Sequence, residues 1–169
     1  MPHDSYTPAK KSLLLAASAV FLAAILLFTL CLRNTMRSVT KLDAAAYTLS
    51  APNGFEYNCV PTVGGGALTL RGWALVRGEG FQTVDCKVVL YNAADNQYLS
   101  LPTMMEIDET PTEIFNDGTY YGRGGFASVT PLKQLPAPLA TYEICFAYRS
   151  NGTHNNLVHT GQMLEEQSL

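Results

Sequence analysis

The residues with the widest chemical reach are three of the chain's four cysteines, Cys59, Cys86 and Cys145, which follow the apolar run holding Cys31 and are set far apart. Thiols can pair, bind soft metal ions or attack electrophiles. An odd number leaves at least one of them unpaired. Cys86 and Cys145 both fall in strand-like segments, so a disulfide between them is one arrangement open to the chain. Buried free thiols acting as small hydrophobes are the other. No C-x-x-C occurs, and His3, His154 and His159 are not near a cysteine in sequence. That spacing predicts no metal site.

Carboxylates cluster between residues 106 and 117, with Glu106, Asp108, Glu109, Glu113 and Asp117 on one stretch. Calcium needs about six to eight oxygens converging on one point, and the D-x-[DN]-x-[DN]-G loop order is missing. A pair of carboxylates for glycoside hydrolysis must face each other across a cleft. A single acidic loop does not provide that, so a solvated loop is expected. Gly64-Gly65-Gly66 and Gly78-Glu79-Gly80 match neither a P-loop nor G-x-G-x-x-G, and neither opens a helix. They read as turns. With no G-x-S-x-G elbow either, the patterns nominate no catalytic residue, no cofactor and no enzyme.

Tyrosines are the remaining chemistry. Tyr91, Tyr98, Tyr120 and Tyr121 could offer flat faces to sugar rings, with nearby polar groups taking the hydroxyls. Tyr120, Tyr121 and Arg123, on a glycine-rich loop, are the first candidates for binding a glycan or a partner. The plainer alternative is buried rings with wet hydroxyls. Asn151-Gly152-Thr153 is formally a glycosylation acceptor.

These residues must be positioned by what surrounds them, and one stretch organises the chain. Leu13 to Leu32, LLLAASAVFLAAILLFTLCL, has no charge, proline or glycine. Twenty helical residues rise about 30 Å, the thickness of a bilayer's hydrocarbon core. The run exceeds the roughly 7–15 residues of a signal h-region and lacks a nearby small-x-small site. Leu30 before Cys31 does not suit a lipoprotein site, and no pilin-type glutamate is present. A retained membrane helix over residues 12–32 is expected, contacting the lipid bilayer. A polar tail (1–11) precedes it and a stalk or linker (33–54) follows. A β domain (55–162) and a frayed tail (163–169) complete the division.

Charge bears on partners and on orientation. Residues 1–43 carry five Lys/Arg and two acids, whereas residues 44–169 carry six and twelve, a net of −6. Nucleic-acid binding needs clustered Lys and Arg, so it is excluded as an expectation. Lys10 and Lys11 flank one side of the helix and Arg33, Arg37 and Lys41 the other. That count slightly favours a cytoplasmic C-terminus. The β-patterned, lysine-poor, cysteine-containing domain points the other way, to an oxidising compartment. We expect a single-pass plasma-membrane protein with its C-terminal domain extracytoplasmic.

From Phe55 the period becomes two. Residues 55–59, 67–76, 85–91, 97–101, 126–129, 142–148 and 156–160 alternate as strands, separated by Gly, Asn and Pro turns. Leu68, Leu70, Gly72 and Ala74 share one face of their strand, and Tyr142, Ile144, Phe146 and Tyr148 one face of theirs. Met104, Met105, Ile107, Ile114 and Phe115 are expected to cap an end of the core. No helix is expected beyond residue 46. About seven short strands suit an all-β sandwich.

Trp73 on an early strand, and Leu135-Pro-Ala-Pro-Leu-Ala-Thr-Tyr142 leading into a late one, resemble features of immunoglobulin-like and fibronectin-type-III sandwiches. The resemblance implies a core tryptophan and a tyrosine corner whose hydroxyl returns to upstream backbone. The order of Gly72-Trp73-Ala74, Val88-Val89-Leu90-Tyr91, Tyr98-Leu99, Gly125-Phe126-Ala127 and Tyr142-Glu143-Ile144 is similar, over residues 55–160, to accessory sandwiches of bacterial cell-envelope proteins. It implies a non-enzymatic domain that binds an unknown protein or takes part in envelope assembly. A membrane-anchored carbohydrate-binding module, bound to a cell-envelope glycan, is the alternative.

Overall fold

The computed structural model describes residues 11–165. Residues 1–10 of the expected tail and 166–169 of the expected frayed end lie outside them. The chain divides after Arg37 into two units. The first holds one helix, α1 (Lys11–Met36), whose Leu14–Leu32 stretch is apolar and exposed and long enough to cross a membrane. Thr29 bonds back to the Ile25 carbonyl at 2.8 Å, which satisfies its hydroxyl within the helix.

The second unit is built from β1 (Thr40–Lys41), β2 (Phe55–Gly64), β3 (Ala67–Val76), β4 (Val84–Asn92), β5 (Gln97–Ser100) and β6 (Thr103–Glu106), then α2 (Thr110–Phe115), β7 (Gly125–Pro131), β8 (Tyr142–Ser150) and β9 (His154–Met163). Two antiparallel sheets form, ordered β1-β5-β4-β8-β9 and β2-β3-β7-β6. Between them lie Leu68, Leu70, Ala74, Val88, Leu90, Ile144 and Phe146, the inward sets of alternating strands. The faces read from the sequence are the faces observed. Gly72 is required by close approach, since a Cβ there would lie 1.8 Å from the Asn58 carbonyl oxygen.

Several expectations need correction. The described residues hold nine strands rather than seven: β1 precedes the expected set, and Leu101-Pro102 breaks the pairing and sends the chain from β5 in one sheet to β6 in the other. Residues 38–54 were expected as a linker, but most of them belong to the domain. β1 pairs with β5, and the Leu42 N–H reaches the Tyr98 carbonyl at 2.9 Å. Thr48 then bonds both ways with β9, its N–H to the Asn155 carbonyl and its carbonyl to the Leu157 N–H, each at 2.9 Å. The segment thus runs as a strap from one edge of the five-stranded sheet to the other. Leu42, Ala44 and Tyr47 pack on Val89, Cys145, Ala147 and Leu157, which point away from the main core. Those apolar outward residues explain the strap: bare, they would leave a hydrophobic sheet face in water.

The acidic stretch contains a helix, α2, where none was expected; Pro111 sits in its first turn, a position that needs no N–H donor. Met104, Ile107 and Ile114 are exposed, so they do not cap the core. Trp73 is buried, but on the outer face of β3, where it meets Phe115 edge-on at 5.8 Å. Tyr142 is buried, and its hydroxyl accepts the upstream Ala137 N–H at 3.1 Å. Of the residues expected to fray, Met163 ends β9 with its side chain exposed, and Leu164 closes the core with its N–H on the Tyr142 carbonyl at 2.9 Å.

Candidate functional site

The sequence candidates separate once placed. Tyr121 is fully buried against Trp73, Leu75, Phe81 and Phe115. Its hydroxyl donates to Asp117 Oδ2 at 2.7 Å and accepts from the Gly78 N–H at 2.6 Å. With no face left for a sugar, Tyr121 is a structural residue, which corrects its place in the expected binding loop. Tyr120 is half exposed and its hydroxyl donates to Glu109 Oε1 at 2.8 Å. Arg123 is exposed and borders a shallow groove of about 360 Å³ with Val84, Met105 and Ile107. Tyr120 and Arg123 therefore remain on the surface without Tyr121.

The Cys86–Cys145 disulfide is also overturned. In the β4–β8 pairing Cys86 lies opposite Tyr148, and Cys145 opposite Val89. Three residues separate Tyr148 from Cys145, so the two cysteines point to opposite faces of one sheet. Cys86 faces the main core and Cys145 faces the strap, so a bridge would have to pass through the backbone. Cys59, Cys86 and Cys145 are buried free thiols. Burial pushes the Cys59 thiol up to about 12 and raises Cys86 and Cys145 as well.

The acids of the 106–117 stretch do not converge. Asp108 Oδ1 accepts from the Thr110 N–H and Asp117 Oδ1 from the Thr119 N–H, both at 3.0 Å, while Glu106 lies 3.6 Å from Arg71. These three are engaged by their own neighbourhoods.

Convergence occurs instead on the outer face of the five-stranded sheet, among residues that sequence spacing keeps apart. β8 and β9 place Cys145 directly opposite His159. The register then shifts, so that Glu143 pairs with Met163 and residues 160–162 form a bulge in β9. Gly161 supplies the left-handed turn of that bulge, at φ +71. Glu143 and Cys145 are two apart on β8 and share the outward face.

The resulting geometry is tight. His159 Nδ1 lies 3.0 Å from Glu143 Oε2 and 3.5 Å from Cys145 Sγ. All three donor atoms lie within 4.8 Å of one another. Glu143 Oε1 accepts the Gly161 N–H at 2.8 Å, and the other ring nitrogen, His159 Nε2, is 3.0 Å from the Tyr98 hydroxyl. Tyr91 and Tyr98 stack at 4.5 Å and both meet the imidazole edge-on. Burial first, then the Glu143 charge, holds the Cys145 thiol in its protonated form. Burial and the adjoining Tyr91 likewise raise the Tyr98 hydroxyl. A neutral thiol is a weaker nucleophile than a thiolate.

His154, the other domain histidine, pairs with Glu79 at 2.9 Å beside Tyr148. The sequence signal for the Glu143–Cys145–His159 group was indirect: Cys145 and Ala147 sit outward on a strand whose inward face is already apolar. That pattern implies a second buried layer, but not which histidine joins it. No protein-family model matches this chain, and neither does a curated protein or a solved structure.

Proposed function

We propose that this chain is a single-pass membrane protein whose immunoglobulin-like sandwich works by binding a protein partner on the extracytoplasmic side, not by catalysis. The observation that carries this is the succession of two units: a helix apolar and exposed throughout Leu14–Leu32, then a folded sandwich, with only Arg37, Ser38 and Val39 between α1 and β1. A helix of that composition is stable in hydrocarbon, where its backbone polar groups are satisfied internally. The strand order supports the finer class. With β1 set aside, β2-β3-β7-β6 against β5-β4-β8-β9 follows the A-B-E-D and C′-C-F-G arrangement of immunoglobulin-like domains. It departs from them in having no inter-sheet disulfide and in carrying Trp73 on an outer face.

The two outer faces differ in a way that favours a protein partner. The strap covers one. The other, on β2-β3-β7-β6, leaves Val60 57%, Met104 69% and Val129 58% exposed around the Arg71–Glu106 pair. Exposed apolar side chains set around a charged pair suit a protein surface better than a hydroxyl-rich glycan. A carbohydrate-binding module, the alternative, would have to work through Tyr120 and Arg123 alone. A photo-crosslinking residue at Met104 or Val129 in the full chain, expressed in its membrane, separates the two. A discrete protein adduct from these positions, and none from the exposed turn residue Ala93, is expected. No adduct, together with saturable binding of the detergent-solubilised chain to a glycan array, would replace this reading with the alternative.

A further inference from the structure

We propose that Glu143, Cys145 and His159 form a binding site for a zinc-class divalent cation, with its fourth coordination position open to solvent. The donor set is the first reason. One thiolate, one imidazole and one carboxylate suit a borderline ion, whereas calcium and magnesium take oxygens almost exclusively.

Separation is the second. Around an ion with bonds of about 2.0 Å to N or O and 2.3 Å to S, tetrahedral ligands lie roughly 3.3–3.6 Å apart. The imidazole nitrogen is 3.0 Å from the carboxylate oxygen and 3.5 Å from the sulfur. Two of the three donor pairs stand close to the edges of that polyhedron, and the third, Glu143 with Cys145, lies within 4.8 Å.

The third reason is the support behind each ligand. His159 would bind through Nδ1, leaving Nε2–H to donate to Tyr98 at 3.0 Å. Glu143 would bind through Oε2 while Oε1 keeps the Gly161 N–H at 2.8 Å. Metal-ligating histidines and carboxylates are commonly held in this way by their second atom. The Cys145 sulfur is met by the Thr160 backbone N–H and belongs to one apolar cluster with Val89 and the strap. Half-exposed His159 leaves the open side toward water.

Binding exchanges a proton for the ion: the Cys145 S–H bond breaks, its proton goes to solvent, and the sulfur lone pair forms the metal–sulfur bond. No electrons change hands. The ion would also tie β8 to β9 at the bulge, where the ladder is interrupted. This site does not depend on the binding function proposed above.

The test is titration of the full chain in detergent, stripped with a chelator, with Co²⁺ as a spectroscopic stand-in for Zn²⁺. One equivalent should produce a near-ultraviolet sulfur-to-cobalt charge-transfer band and visible bands of tetrahedral intensity, both displaced by Zn²⁺. Cys145→Ser should abolish the charge-transfer band, and His159→Gln or Glu143→Gln should weaken binding at least tenfold. Tyr98→Phe should keep the band and weaken affinity by about 10–100-fold. Cys31→Ser should leave it unchanged. Because Cys145 is buried, melting of the unsubstituted chain provides a second reading: its midpoint should rise with stoichiometric Zn²⁺ and fall back with chelator. A wild-type chain without the band and without a Zn²⁺-dependent midpoint would overturn the proposal. So would a charge-transfer band that survives Cys145→Ser in a folded variant.

Discussion

Replacing Tyr121 with Phe isolates one oxygen atom and asks whether this residue holds the fold or offers a surface. The ring stays among Trp73, Phe81 and Phe115, so packing is preserved. What is lost is an acceptor 2.6 Å from the Gly78 N–H and a donor 2.7 Å from Asp117. Losing two part-buried hydrogen bonds, at roughly 0.5–1.5 kcal/mol each, costs about 1–3 kcal/mol in all. For a domain of this size that corresponds to a fall in melting midpoint of roughly 3–10 °C. Trp73 is the chain's single tryptophan and lies in the same cluster, so its fluorescence reports the transition directly. The difference should also depend on pH. The Tyr121 hydrogen bond, with the Thr119 N–H second, lowers the Asp117 pKa below its ordinary 3.8. A carboxylate with a depressed folded-state pKa stabilises the fold above its unfolded value, and that contribution disappears as pH falls through the folded value. The gap between wild type and Tyr121→Phe should therefore be full near pH 7 and narrow below about pH 3.8. Equal midpoints at pH 7 would show that the hydroxyl is not bonded in the interior and would refute this account of the loop.

Other consequences follow from the same packing. Leu157→Ala, beneath the strap, should cost about 2–5 kcal/mol, whereas Val129→Ala, on the open face of the other sheet, should stay within about 1 kcal/mol; equal effects in urea melts would mean that the strap does not cover its sheet. Gly72→Ala drives a methyl group into the Asn58 carbonyl, a backbone atom that cannot step aside, so the variant should lose at least about 3 kcal/mol or fail to accumulate folded. A wild-type midpoint for that variant would contradict the β2–β3 register. After denaturation without reductant, all four cysteines should alkylate; a peptide cross-linked between Cys86 and Cys145 would contradict their placement on opposite faces.

Much of the sandwich was legible in the sequence because alternation is a local signal. Residues 67–76 read as a strand with Leu68, Leu70 and Ala74 inward, and β3 has those bounds and that face. Asn151-Gly152 read as a turn, and both residues adopt positive φ there. The strap was not legible, since Ala44-Ala45-Ala46 has no strand period and its pairing partners, Tyr98 and Asn155, lie far along the chain. Tyr121 misled for a related reason. Its glycine neighbours suggested a mobile loop, but Gly122 and Gly124 are buried in a tight turn where a Cβ would meet Tyr120 or the Ala74 carbonyl. The cluster around His159 lay furthest from reach. Fourteen residues separate Cys145 from His159, and only the β8–β9 register, with its bulge, sets the two rows opposite each other.

The face on which the domain stands decides whether it can do what is proposed here. Cys59, Cys86 and Cys145 are buried, so native thiols of the domain should not react in the folded protein. Ala93, in the exposed turn between β4 and β5, supplies an accessible position. In intact cells, and with Cys31→Ser removing the exposed thiol of α1, a membrane-impermeant maleimide should modify Ala93→Cys and leave the Cys31→Ser parent unmodified, placing the sandwich outside. Modification of Ala93→Cys only after the membrane is opened would put the domain in the cytoplasm, as the Arg33, Arg37 and Lys41 flank alone would have it, and would contradict the proposed function.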